Sequence, residues 1–535
     1  MCATTTMKMS PSILITDPIE QSAIDILTAE GFTVVHRPGI SPDELKAVIG
    51  EYDALIVRSG TTVTADIISR ADHLRVIGRA GTGVDNVDVE AATRRGILVM
   101  NVPGGNTIST AEHTVALLLA LARNIPSAVN SLKEGKWERK RFTGIELYGK
   151  TIGIIGLGKV GREVAVRCKA FGMNVIGYDP ILATDVATKL GVELVSLNEL
   201  YARSDIITVH TPLTDETRGM ISDAEIARCK SGVLFINCAR GGIIDEGALL
   251  RGLESGKVAG AALDVFSAEP PKGNPLVPHP RVVATPHLGA ATGEAQEKVA
   301  VMIARQVADA LRDRSIVGAV NLPDPSIAGR KDLLPYLKLA EKLGSLLSQL
   351  MHGALKHLTV TTSGEALSGA TRAIRIALLK GALDRLLSGP VNYINAPVIA
   401  QEMGIDILER HEEQSKRYSS LISVEYLSDN ERRSFAGTVF GSEDLRITSI
   451  DGFPLEIRPE GHLLIYSNID RPGMLAAVGA VLAKAQINIA GVALGRYSAG
   501  GEALVVMSVD SEIPADVLSE IGSVNGVEKV RLVKL

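Results

Sequence analysis

Cysteine is scarce in this 535-residue sequence. Cys2, Cys168, Cys229 and Cys238 are widely spaced and form neither a disulfide framework nor a metal-ligand pattern. That usage suits a reducing compartment. An excess of charge of one sign is also missing: the formal net charge is −5. A nucleic-acid partner is excluded on that ground, because such affinity rests on lysine and arginine neutralising phosphates. No apolar run is long enough to span a bilayer; the densest, TVALLLALA at 114–122, covers about half a span. The N-terminal MCATTTMKMS is too short and too weakly basic to read as a signal peptide. A soluble, cytoplasmic chain with no membrane and no metal is expected.

Glycine, by contrast, is abundant, at 52 residues, and apolar residues make up 46%. Both fit an α/β protein. At about 150 residues per domain, three or four domains are expected. Residues 13–100 alternate β-rich runs (SILIT, FTVVH, DALIVRS, LRVIGRA, GILVMNV) with helical patterns, the rhythm of a parallel sheet built from βα units. A nearly all-apolar helix follows, STAEHTVALLLALARN at 109–124, with Ser109 or Thr110 expected as its N-cap. Such a helix must be buried on every side, between lobes or between subunits.

A second βα series runs from Lys150 to about His287, opening with TIGIIGLGKVG at 151–161. A strand leads into Gly156, Gly158 and Gly161, and a helix follows. Lys159 and Val160 belong to the same turn. The glycines permit a tight turn and let backbone approach a pyrophosphate, whose charge then sits at a helix N-terminus. The next strand, MNVIGYD, ends in Asp179, placed to hydrogen-bond a ribose hydroxyl and repel a 2′-phosphate. NAD is therefore the expected cofactor, in preference to NADP. A second glycine cluster, AGTGVDN at 80–86, lacks the third glycine and reads as a loop over the ligand cleft.

After Asp179 each predicted strand ends in a polar group. IITVH ends at His210 and is followed by Thr211; GVLFINCARGG passes through Cys238 to Arg240. GAALDVF carries Asp264 into the loop of Glu269, and RVVATPH ends at His287, two residues before Gly289. In an open parallel sheet the carboxyl ends of the strands share one edge, where ligands bind. Arg240, Glu269 and His287 are thus projected to one crevice. Oxidising a secondary alcohol with NAD needs a base for the hydroxyl proton, and histidine titrates in the right range. A carboxylate on its other ring nitrogen, Glu269, fixes the tautomer and supports the imidazolium. An arginine fork holds a substrate carboxylate. Asp264 either faces the nicotinamide side or caps a turn.

Together GLGKVG, NCARGGIIDEGAL, ALDVFSAEP and TPHLGAAT resemble the D-isomer-specific 2-hydroxyacid dehydrogenases over roughly residues 13–321. The resemblance implies two doubly wound, Rossmann-like parallel-sheet lobes. It makes Arg240 the substrate-binding arginine, Glu269 the acid partner and His287 the catalytic histidine. It places Thr82 and Gly289 with Thr211, Cys238 and Asp264 along the cofactor cleft, and Ser59 and Asn106 at the substrate. RSGTTVTADII, GRAGTGVDNVD and VPGGNTISTAEHT are similar to members acting on 3-phospho-D-glycerate, at the first step of phosphorylated L-serine biosynthesis. Arg58 and Arg79, each just after a predicted strand, are the candidates for its phosphate. Arg139, in the charge run KWERKRF, is either a further phosphate contact or simply solvated.

The chain continues past the dehydrogenase region. Residues 331 to about 458 contain helical segments such as LKLAEKLGSLLSQL and resemble the α/β intervening domain of long-form members, either a spacer or an effector site. The last 74 residues read β-α-β-β-α-β, a ferredoxin-like order. NIDRPGML and AQINIAG resemble the ACT regulatory domain. Asp470 and Asn488 match effector positions of serine-inhibited relatives; a dimer-forming module without a ligand is the alternative. The expected division is 1–103 and 289–321 for the substrate lobe, 104–288 for the NAD domain, 322–458 intervening and 459–535 ACT. A homodimer or homotetramer is expected. A glyoxylate/hydroxypyruvate reductase or D-lactate dehydrogenase is the alternative enzyme, and a dinucleotide-sensing, corepressor-like binding protein the alternative of another class.

Overall fold

The computed structural model describes residues 10–387, 389–415 and 417–535. The N-terminal MCATTTMKM, with Cys2, lies outside the described residues.

Five strands, β1 (Ser12–Ile15), β2 (Thr33–His36), β3 (Ala54–Val57), β4 (Val76–Arg79) and β5 (Leu98–Met100), form the first sheet. Its order is β2-β1-β3-β4-β5, and every pair is parallel. The run Ala54-Leu55-Ile56-Val57 is fully buried, as expected of a strand covered on both faces. One cover comes from far along the chain. The helix Gly293–Leu311, N-capped by the Thr292 side chain, buries Val299, Ile303 and Val307 in the core of this lobe. The sequence pattern suggested a return helix over 301–313; it begins eight residues earlier and ends at Leu311.

The second sheet has seven strands: β6 (Thr151–Ile155), β7 (Asn174–Tyr178), β8 (Glu193–Leu194), β9 (Ile206–Val209), β10 (Val233–Asn237), β11 (Val258–Leu263) and β12 (Val282–Ala284). Their order is β12-β11-β10-β9-β6-β7-β8, again parallel. The order reverses between β6 and β9, and a ligand crevice opens at such a switch point.

Between the lobes runs the helix Thr107–Ala122, and one expectation about it needs correction. Its N-cap residue is Asn106. Ser109 and Thr110 lie inside the first turn, because their hydroxyls are taken by a tertiary partner, the Gly289 carbonyl. Within one chain its burial is incomplete, which leaves the subunit alternative. Leu117, Leu118 and Leu121 enter the core of the second lobe, while Ile108 stays 47% exposed. Among the described residues no single helix is long and apolar enough to cross a membrane; this helix and Ile125–Lys133 reach that length only as a pair bent by 61°.

A third sheet, β13 (Leu355–Ser363), β14 (Asp406–Glu412), β15 (Leu421–Ser428), β16 (Arg432–Phe440), β17 (Asp444–Ile450) and β18 (Phe453–Ile457), has the order β14-β13-β15-β16-β17-β18. The helices Leu334–Leu350 and Thr371–Leu386 pack on it. The last sheet, β19 (His462–Ile469), β20 (Ile489–Arg496), β21 (Glu502–Val509) and β22 (Val527–Lys534), has the ferredoxin-like order β20-β21-β19-β22. Side chains alternate between its faces. Leu464 and Tyr466 pack under its own helices, whereas Leu463, Ile465 and Val533 join the core of the preceding domain. The two C-terminal domains therefore share one apolar core.

Candidate active site

The switch-point crevice is shaped by missing side chains. Gly156 follows β6 at φ +91°, and a Cβ there would lie 2.7 Å from the His210 carbonyl oxygen. A Cβ on Gly161 would lie 2.0 Å from the Gly156 oxygen, so the helix Lys159–Ala170 can start this close to the turn only with glycine there. Ahead of Gly158 nothing lies within 4 Å of a Cβ position. Opposite, just after β9, the Thr211 hydroxyl is buried without a hydrogen-bond partner among the described residues. Asp179 accepts from the Leu157 amide of the glycine turn at 2.8 Å and from the amides of Ile181 and Leu182. A bare backbone cradle at a helix N-terminus, an acid after the next strand and an orphaned hydroxyl fit NAD. Val160 packs into the second-lobe core, while Lys159 reaches across to the first lobe and donates to the Pro103 carbonyl at 3.0 Å.

His287 and Glu269, the expected acid–base pair, meet at the same sheet edge. His287 Nδ1 lies 2.7 Å from Glu269 Oε2, and the Phe266 amide donates to Oε1 at 3.1 Å. An ionised carboxylate only accepts, so Nδ1 carries the proton and Nε2 is left with a lone pair. The Glu269 loop is braced by Glu246, which accepts from the Ser267 amide and from Asn274 Nδ2 at 2.6 Å each. The hydrogen bond to Glu269 raises the His287 pKa above its ordinary 6.5, against partial burial and the Arg240 charge. Burial pushes the Glu269 carboxyl up, but the hydrogen bond and charge of His287 outweigh it and hold the pKa below the ordinary value.

Cations gather beside this pair. Arg240 follows β10 on a turn shaped by buried Asn237, whose side chain bonds the Ala239 amide and the Arg240 carbonyl. Its Nε donates to Asp85 Oδ2 at 3.0 Å, and its Nη2 lies where a Cβ on Gly83 would be, 1.9 Å away. Arg79 is part-buried, and its Nε has no hydrogen-bond partner among the described residues. Burial first, then the charge of Arg240 and, more weakly, that of Arg58, lower its pKa against the opposing charges of Asp85 and Asp17. Arg58 is held at the end of β3 by its amide, which donates to buried Asp17, and Ser59 follows it, exposed. Thr82 Oγ1 donates to Asn106 Oδ1 at 2.7 Å, joining the cleft loop to the start of the interlobe helix.

Several expected site residues are placed otherwise. The Cys238 thiol is turned into the core against Thr114, and burial pushes its pKa up to about 12. Asp264 is fully buried and accepts from Thr285 Oγ1 and the amides of Leu288 and Gly289, so of the two readings the turn-bracing one matches its contacts. Gly289 spends its N–H on Asp264 and its carbonyl on Ser109 and Thr110. Arg139 lies in an exposed short turn, Arg139–Phe142, with no hydrogen bond to the arginine group among the described residues. Asp470 and Asn488 sit at opposite ends of the last sheet: Ile469 pairs with Glu502, whereas Ile489 pairs with Val509. Asp470 is paired with Arg496 and Asn488 with Asp510. Sequence reasoning missed Asp85 and His113. Asp85 lay in the quoted loop AGTGVDN and His113 in the apolar helix, each with no partner visible nearby in sequence.

Comparison with known proteins follows the same division. The model of the D-isomer specific 2-hydroxyacid dehydrogenase NAD binding domain matches residues 115–289. The D-3-phosphoglycerate dehydrogenase intervening domain matches 332–451, and the ACT domain 462–526. A glyoxylate reductase structure from Paecilomyes thermophila is 32% identical with a TM-score of 0.54, covering 58% of this chain and 98% of that one. The class is thus that of the D-isomer specific 2-hydroxyacid dehydrogenases. Over the whole length the similarity is narrower. A D-3-phosphoglycerate dehydrogenase from Methanocaldococcus jannaschii is 44% identical, covering 98% of this chain and 99% of its own. One from Archaeoglobus fulgidus is 45% identical, covering 98% and 100%. The chain belongs to the D-3-phosphoglycerate dehydrogenase family.

Proposed function

We propose that His287 is the base in the NAD-dependent oxidation of 3-phospho-D-glycerate to 3-phosphooxypyruvate, the first step of phosphorylated L-serine biosynthesis. When bound, NAD accepts the hydrogen that leaves the substrate carbon with its electron pair. The chain supplies the rest. His287 Nε2 takes the hydroxyl proton, and Glu269 on Nδ1 holds the ring and balances the imidazolium. The Nη groups of Arg240 receive the substrate carboxylate, and part-buried Arg79 with Arg58 receives the phosphate. Thr82 and Asn106 border the same cleft. Asp179 faces the ribose, and Thr211 offers its unpartnered hydroxyl.

The observation that carries this reading is the 2.7 Å bond from His287 to Glu269 at the edge that also holds the glycine turn. Steady-state NADH formation tests it with 3-phospho-D-glycerate, D-lactate and D-glycerate as competing substrates. Preference for the phosphorylated acid supports the Arg79 and Arg58 site; equal use of D-lactate contradicts it.

The oligomer and its regulation belong to the same proposal. Ile108, Ile125, Val129, Leu132, Trp137 and Tyr148 are exposed on and after the interlobe helix, an apolar area suited to pairing two copies as a homodimer or within a homotetramer. An ACT domain suggests regulation by a small molecule. For L-serine to touch both Asp470 and Asn488, two copies must meet, because one sheet keeps them apart. Antiparallel pairing of two β20 edges would bring one copy's Asp470 beside the other's Asn488. The domain limits 1–103 with 289–321, 104–288, 322–458 and 459–535 are part of the proposal, each enclosing the strands of one sheet. The free, buried Cys168, Cys229 and Cys238 support a cytoplasmic setting.

A further inference from the structure

The interlobe helix carries polar side chains that the reaction above does not use. Ser109, Thr110 and His113 lie within about one turn of it, and all three address the loop that holds His287. Ser109 Oγ and Thr110 Oγ1 donate to the Gly289 carbonyl at 2.8 and 3.1 Å. His113 Nε2 lies 3.1 Å from Asp264 Oδ1 and 3.2 Å from Thr285 Oγ1.

Asp264 is the centre of this arrangement. Its carboxylate is 0% exposed, and a buried carboxylate is tolerated only while its lone pairs are satisfied. Its side-chain partners among the described residues are Thr285 Oγ1, the amides of Leu288 and Gly289, and His113. Those two amides directly follow His287, whose own N–H donates to the Asp264 carbonyl at 2.9 Å. His287 itself sits at φ +55°. A non-glycine residue keeps that conformation only where its surroundings impose it.

We infer that His113 is a positioning residue: by completing the shell of Asp264 it holds the 285–289 loop, and so aims the His287 ring at the substrate hydroxyl. The inference rests on the reading of His287 as base. His113 touches neither substrate nor cofactor in this scheme; it acts through Asp264. Its contribution should therefore appear in turnover and not in binding.

Three variants of the full-length enzyme separate reach from chemistry. His113→Phe fills the space and removes the donor. His113→Gln returns an N–H at a similar distance, and His113→Asn carries the same amide one methylene short. Displacing a reacting group by about 1 Å costs up to about 100-fold, so kcat with 3-phospho-D-glycerate should fall about 10- to 100-fold in the Phe and Asn variants. KM and the NADH Kd should stay within about twofold, and the Gln variant should recover kcat to within about threefold of wild type. Equal kcat in the Gln and Asn variants would overturn the inference, as would a loss carried by KM alone. That comparison survives even if the Phe variant does not fold. His287→Ala is measured alongside: normal turnover there refutes the base assignment. An inactive His287→Ala with indistinguishable Gln and Asn variants refutes the role of His113 alone.

Discussion

Arg240 and Asp85 come from different lobes, and their side chains meet across the cleft at 3.0 Å. The bond occupies Nε, and Nη1 also donates to the Ala239 carbonyl at 2.7 Å. The guanidinium is thus held through Nε and one N–H of Nη1, and Nη2 with the second N–H of Nη1 remains for a carboxylate. Gly83 makes room for this pose, since a side chain there would displace Nη2.

Replacing Arg240 by lysine keeps the charge and removes the fork. The expected result is a fall in kcat/KM for 3-phospho-D-glycerate of at least about tenfold, the equivalent of one charge-assisted hydrogen bond of about 1.4 kcal/mol. NADH affinity, followed by fluorescence titration, should be unchanged. A collapse of cofactor binding instead would place Arg240 on the wrong ligand.

His287→Ala removes the proton acceptor without touching the glycine turn. Turnover should drop about 10²- to 10⁴-fold, the usual contribution of a general acid–base group. Rapid-mixing measurements of NADH formation would show it, with NADH binding preserved as the control.

Gly161→Ala places a methyl group 2.0 Å from the Gly156 carbonyl oxygen. Backbone cannot yield as a flexible side chain can, so the turn must open and the cradle must distort. A weakened NADH Kd with little change in the affinity of substrate analogues is expected from titration calorimetry. Wild-type cofactor affinity would show that the turn does not hold the pyrophosphate.

Asp179→Ala removes the carboxylate that already anchors the Leu157, Ile181 and Leu182 amides and should face the ribose. Discrimination against NADP should relax, measured as the ratio of kcat/KM values with the two cofactors. An unchanged ratio would assign Asp179 to shaping the turn only.

The parallel sheets, and the placing of Arg240, Glu269 and His287 at one sheet edge, were legible in the sequence because both depend on local pattern. Runs such as Ala54–Val57 are apolar on every position, and the polar residue that ends each run falls on the ligand edge by topology alone. What escaped reading depends on contacts between distant segments. Ser109 and Thr110 look like caps because hydroxyls near a helix start usually bond the helix itself; here they bond Gly289, some 180 residues on. Cys238 shares a strand end with the site, yet its thiol belongs to the opposite, core face. The final β-α-β-β-α-β run reads as a free-standing module, because alternation does not reveal what covers the second face. Leu463, Ile465 and Val533 show that the intervening domain covers it.

The pH dependence of kcat/KM for 3-phospho-D-glycerate, in wild type and in Glu269→Gln, tests the acid–base pair most directly. Oxidation needs neutral His287, so the rate should rise with pH. Because Glu269 raises the His287 pKa, that rise in the wild type should be centred above the ordinary 6.5. In Glu269→Gln the supporting charge is gone, the imidazole deprotonates more readily, and the limb should move to lower pH while the plateau rate falls. A limb that stays in place or moves to higher pH would contradict the account.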